Sequence, residues 1–185
     1  DSSLDIINNS NQNVKNNFLN FRQKINIGKN SVLKNYSLDI NATSNIKYSF
    51  NDINLDKNSH LEYFILSKGS KFAKHDINCS LNNDHGSVSL NGIIDLDNEK
   101  HHEIKTSINH NEENCKSYQL IKSVLNENSK GVYQGKIYVN SKAQKTDGYQ
   151  LSRALLLNDD VEFNAKPELE IYADDVKCSH GSTSG

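Results

Sequence analysis

Apolar residues recur at every second position through most of this chain. The sets run Ile25 and Ile27, Leu38 and Ile40, then Ile46, Tyr48 and Phe50, then Leu61, Tyr63 and Ile65. They continue through Ile77, Cys79 and Leu81, Val88 and Leu90, and Ile104, Thr106 and Ile108, and they resume at Ile137 and Val139 and at Leu169, Ile171 and Ala173. An extended chain sends successive side chains to opposite faces, so this period predicts short β-strands and excludes a largely helical fold. Gly, Asn, Asp and Ser between the sets mark the turns. Only the first twenty residues depart from the pattern. There Val14, Phe18 and Phe21 suggest a short amphipathic helix, although the clustered Asn residues are poor helix formers. The segment Lys116 to Leu125 fits either strand or helix.

A sandwich, a barrel and a parallel β-helix could all accommodate such strands. Sandwiches and barrels usually place Gly or Pro signals between hairpin strands. This chain has one Pro and nine Gly, and its only Asn-Gly pair is Asn91-Gly92. Hydrophobic residues make up 35% of the chain, with no Trp, no Met and 28 Asn. That is thin for a globular core. It suits a β-helix, whose narrow interior takes branched residues while polar ones, Asn included, stack along the outside and corners. With a net charge of only −2, the signature of disorder is not met. The expectation is an all-β fold, a β-helix forming a single domain over residues 1–185. At ~20 to 25 residues per rung and ~4.8 Å between rungs, it would make roughly eight rungs over about 40 Å.

Lys and Arg number 21 against 23 Asp and Glu, so no basic field points to nucleic acid or to a membrane surface. The longest apolar runs, as at Tyr63 to Leu66, fall far short of the ~20 residues that span a bilayer. Cys79, Cys115 and Cys178 form an odd set without CxxC spacing, which predicts a reducing, cytoplasmic setting.

The C-terminal third carries GKIYV, AQKTDGYQ, RALLL, PELEIYADDVKC and SHGST in that order. These blocks resemble the SufB/SufD family of scaffold subunits for iron–sulfur cluster assembly. Where SufB-type members have a cysteine before the aliphatic triplet, this chain has Ser152, so the resemblance is to the SufD type. It implies a right-handed parallel β-helix and a non-enzymatic scaffold that pairs with a SufB-like subunit and docks a SufC-like ATPase. A homodimer in isolation stays open. Family members also carry helical regions before and after the β-helix, which these 185 residues do not show. Ser182 stands where the HGAT-like motif usually has alanine, a small-for-small change.

Nascent clusters need soft thiolates, with imidazole or carboxylate as exchangeable ligands. Cys178 and His180, two positions apart, share one face of a strand. The resemblance implies that His180 is a cluster or iron ligand at the SufB interface, where the partner supplies a thiolate and a carboxylate, and that Cys178 is an interface cysteine. Whether the cargo is a cluster or iron alone, and whether a flavin binds, stays open. Asp174 and Asp175 are adjacent and would diverge, so they read as a rung corner. The competing assignment makes them the carboxylates of a β-helical enzyme acting on polysaccharide, and a third reading is a purely structural β-helix homodimer. His101 and His102 also diverge, and these two with His75, His85 and His110 read as surface residues. Cys79 and Cys115 read as interior packing, and Lys145 and Asp147 as a polar turn. No GxxxxGK[ST] loop is present, so ATP hydrolysis would belong to a partner.

Overall fold

The computed structural model describes residues 1–9, 17–41 and 44–185. Strands β1 (Ser3–Asn9), β3 (Val32–Asp39), β5 (His60–Ser67), β7 (Ser87–Leu96), β9 (Lys116–Leu125), β11 (Asp147–Leu156) and β13 (Lys177–Ser184) stack in parallel as one seven-stranded sheet. Strands β2 (Phe18–Ile27), β4 (Ile46–Leu55), β6 (Phe72–Leu81), β8 (His101–His110), β10 (Lys130–Val139) and β12 (Glu162–Ile171) form a six-stranded parallel sheet. The chain alternates between the two sheets and so winds a β-solenoid of about six turns. Each turn uses about 30 residues, as between Ser152 and Ser182. Rungs are therefore longer and fewer than the sequence suggested, because each consists of two strands of seven to ten residues and their corners. At ~4.8 Å per rung the stack is about 29 Å tall.

One expectation about local structure is corrected and one open assignment is settled. The described N-terminal residues are not helical: 3–9 and 18–27 are strands, and pairing with β3 and β4 satisfies their backbone groups where weak helix propensity would not. Val14 lies outside the described residues. The ambiguous Lys116–Leu125 segment is β9, held on both edges by β7 and β11.

The core is a single layer between the sheets. Along one inward column of the six-stranded sheet, Ile25, Ile53, Cys79, Ile108, Ile137 and Leu169 lie in register. Each fully buried Ile contributes on the order of 1.5–3 kcal/mol. The column in the facing sheet tightens at Gly92, where a Cβ would come within 2.7 Å of the Ile121 side chain.

Corner geometry accounts for many of the asparagines. Asn30, Asn58, Asn98, Asn114 and Asn128 all adopt positive φ, whereas no glycine does. Asn tolerates the left-handed region better than most residues with a Cβ. Others form ladders: Asn54 donates to Asn26 at 3.2 Å, Asn82 to Asn54 at 3.1 Å and Asn111 to Asn82 at 2.9 Å.

Part of the interior is polar. His75, His102 and His110 were expected on the surface, but all three are buried. Each points inward because it keeps the parity of Ile77, Ile104 or Ile108 on its own strand. Two of them share one chain of hydrogen bonds. His102 Nε2 lies 2.7 Å from the Ser70 carbonyl, which can only accept. That nitrogen therefore carries the proton, and Nδ1 accepts from Ser67 Oγ at 2.8 Å. Ser67 Oγ in turn accepts from His75 Nε2 at 3.1 Å, and His75 Nδ1 accepts from Ser49 Oγ at 3.0 Å. The relay is complete only when both rings are neutral. Beside it, Asp39 accepts from Ser70 N and Oγ and pairs with Lys47 at 3.9 Å.

Candidate functional site

β13 is the last strand of the seven-stranded sheet, and among the described residues only β11 pairs with it. Its register sets Cys178 over Gly148, His180 over Gln150 and Ser182 over Ser152. All three β11 residues are buried, so Cys178 and His180 belong to the inward face of the terminal rung. They share a face, as their spacing predicts.

The two differ in environment. Cys178 is partly buried against the small cluster of Ile137, Val139, Ala143 and Ala173. Burial pushes its thiol above the ordinary value, opposed by a hydrogen bond with the Gly148 backbone and reinforced by Asp147. It is a protonated thiol at neutral pH, and metal binding there must displace a proton. Gly148 leaves the room it occupies, since a Cβ at that position would stand 3.3 Å from Sγ. His180 is exposed.

Beneath His180 the interior is polar and internally bonded. Thr106 Oγ1 donates to Gln119 Oε1 at 2.6 Å, and Gln150 Nε2 donates to the Gly135 carbonyl at 3.1 Å. Gly135 is required there, because a Cβ would meet Tyr133 Oη at 2.4 Å and Gln150 Oε1 at 2.6 Å. Sequence reading missed this layer, although Gln119 and Gln150 lie on the inward parity of β9 and β11. Ser152, buried, bonds Ser182 at 2.9 Å. Ser152 therefore lies on the same inward surface as His180.

Asp174 and Asp175 sit in an exposed bend between β12 and β13, the corner their adjacency predicted. Cys79 and Cys115 are buried interior thiols, also as expected. Burial drives both pKa values upward, that of Cys115 to about 11. No group of three or more His, Cys, Asp or Glu able to hold a metal occurs among the described residues. The environments predict a thiol titration: at pH 8 the native protein yields one accessible thiol, Cys178, and the other two react only in denaturant. Three thiols reacting together would contradict these burial assignments.

A family model described as "SUF system FeS cluster assembly, SufBD core domain" matches residues 1–185. The chain belongs to the SufBD family. The iron–sulfur cluster assembly protein SufD of Escherichia coli is 32% identical over 91% of this chain and 40% of its own length. A SufBD family protein of Synechocystis is 27% identical over 90% of this chain and 37% of its own length. The chloroplastic protein ABCI7 of Arabidopsis thaliana is 32% identical over 84% of this chain and 33% of its own length. This SufBD core thus spans about two fifths or less of the length of these relatives. The likeness extends far beyond the C-terminal blocks and takes in strands whose sequence matched only in character.

Proposed function

We propose that this chain is the β-helical core of a SufD-type scaffold subunit that pairs with a SufB-like subunit, works with a SufC-like ATPase and is not itself an enzyme. Cys178 and His180 together offer one soft and one borderline ligand to a nascent cluster or iron, with the remaining ligands supplied across the interface. The observation that carries this reading is their placement on the inward face of a strand whose outer edge has no partner among the described residues. An unpaired edge presents a row of backbone N–H and C=O groups to another chain, so the two ligands would lie where a partner arrives. Incomplete ligation suits a scaffold, because a saturated thiolate site would retain its cargo.

Co-expression of the full-length protein with SufB-like and SufC-like partners tests this. His180→Ala is expected to leave the complex intact and abolish cluster formation, read as loss of the visible absorption of reconstituted cluster. Unchanged cluster yield in an intact complex removes the site assignment. Failure to form any complex with wild-type protein removes the scaffold reading.

A further inference from the structure

The outward faces of the two sheets differ in kind. On the six-stranded sheet the outward surface is polar, with Lys74 matched to Glu103 at 3.0 Å, Lys130 to Glu162 at 2.9 Å and Lys136 to Glu170 at 2.7 Å, and with Lys24, Lys105 and Lys166 exposed. On the seven-stranded sheet, register aligns Ile7, Tyr36, Phe64, Leu120 and Leu151 in one outward column, interrupted only by Asn91. Leu38, Leu66 and Ile93 continue the apolar surface in the next column. That second column then changes character, because Lys122 and Arg153 follow Ile93 in direct register.

We infer that this face is the docking surface for an acidic amphipathic helix of a partner protein. Lys122 and Arg153 are exposed, stand one rung apart at ~4.8 Å and form no ion pair among the described residues. Like charges directly opposite each other on one sheet face are destabilising, and carboxylates from outside relieve them. The acidic groups nearby are already engaged: Glu62 with Lys34 at 3.8 Å and Asp95 with Lys68 at 2.6 Å. At the Lys122 and Arg153 corner of the face the unpaired charge is therefore positive, while the exposed carboxylates Asp5 and Asp147 stand on the first outward rung and at the start of β11.

Its dimensions suit one helix. From Ile7 to Leu151 the column spans five rung steps, about 24 Å, the length of roughly 16 helical residues. Where Ser89 and Asn91 replace larger neighbours, a recess of ≈ 470 Å³ opens beside Tyr36 and Phe64. Such a recess can seat one large apolar anchor, the usual centre of an interface. A twofold pairing of this face through its cationic corner would bring four cations together, which disfavours a second copy. Two unpaired cations are few for an anionic lipid surface, where each contributes only about 1 kcal/mol.

The test uses a 16-residue helical peptide with a leucine stripe and flanking glutamates, titrated calorimetrically into the full chain. Micromolar binding is expected. It should weaken at least tenfold in the Lys122→Glu, Arg153→Glu double variant and be lost when the peptide's glutamates are replaced by lysine. Leu120→Ser, an outward change that spares the core, should weaken binding as well, with circular dichroism confirming the fold. Absence of binding at millimolar peptide, or binding indifferent to the charge reversal, overturns the inference. So does self-association, or binding to phosphatidylserine-containing vesicles, that depends on Leu120 while the peptide fails to bind.

Discussion

Acidification from pH 7 to 4.5 is expected to cost this fold several kcal/mol of stability through its buried histidines. Burial lowers the pKa of His75 to about 3 and of His110 to about 4, and it lowers that of His102 as well. Nearby Lys47 adds to the effect at His75. Folded values therefore lie below the unfolded value near 6.5. The unfolded chain binds more protons throughout the window between them, so this contribution is complete above pH ~6.5 and declines as pH falls toward 4. Each histidine changes stability by about 1.4 kcal/mol per pH unit within its window. Burial is the main cause, and at His75 and His102 protonation would also break the directional relay from Ser49 to the Ser70 carbonyl. A second proton on either ring would face a hydroxyl already donating to that nitrogen. Asp84, Asp97, Glu162 and Glu168 are held below their ordinary values by lysine partners. Urea denaturation at pH 7, 6, 5 and 4.5 measures the slope. His110→Gln should reduce it by one histidine's share, since that ring has a single hydroxyl partner, Ser117, at 2.8 Å. A midpoint constant across this range would refute the assignment of neutral interior histidines.

Gly69→Ala is expected to destabilise the fold by about 3 kcal/mol, at the upper end of overpacking costs. A Cβ at position 69 would lie 2.4 Å from the Asn41 carbonyl oxygen and 2.7 Å from its nitrogen. Those are backbone atoms and cannot rotate away. The neighbouring amides of Lys68 and Gly69 both donate to the Asp39 carbonyl, at 2.8 and 2.7 Å. Ser70 binds the Asp39 carboxylate, so any shift there propagates into the histidine relay. Gly28→Ala provides the contrast. Nothing stands within 4 Å of a Cβ there and φ is not positive, so the change should be neutral or stabilise by about 0.5 kcal/mol through the unfolded chain. Chemical denaturation of both variants decides the matter, and equal effects would mean that close approach does not explain Gly69.

The alternation legible in the sequence identified the strands and their stacking class, because the period of a strand is a local property. It left open which face is inward where the core is polar. Leu38 with Ile40, and Ile46, Tyr48 and Phe50, point outward, while Asp39, Lys47, Ser49 and Asn51 occupy the interior. Hydrophobicity alone picks the wrong parity wherever buried polar groups satisfy one another. The same error sent His75, His102 and His110 to the surface, although the phase of Ile77, Ile104 and Ile108 on their own strands already contained the correction.

At the candidate site, sequence spacing was sufficient to place Cys178 and His180 on one face, and the C-terminal blocks were sufficient to indicate the family. Which face that is, and that it belongs to the terminal rung above Gly148 and Gln150, depended on the parallel register with β11, a contact about 30 residues away in the chain. The apolar outer surface and its two unpaired cations were equally invisible in one dimension. Leu120, Leu151, Lys122 and Arg153 become neighbours only when successive turns stack, and the rung length that brings them together is a property of the closed solenoid, not of any single strand.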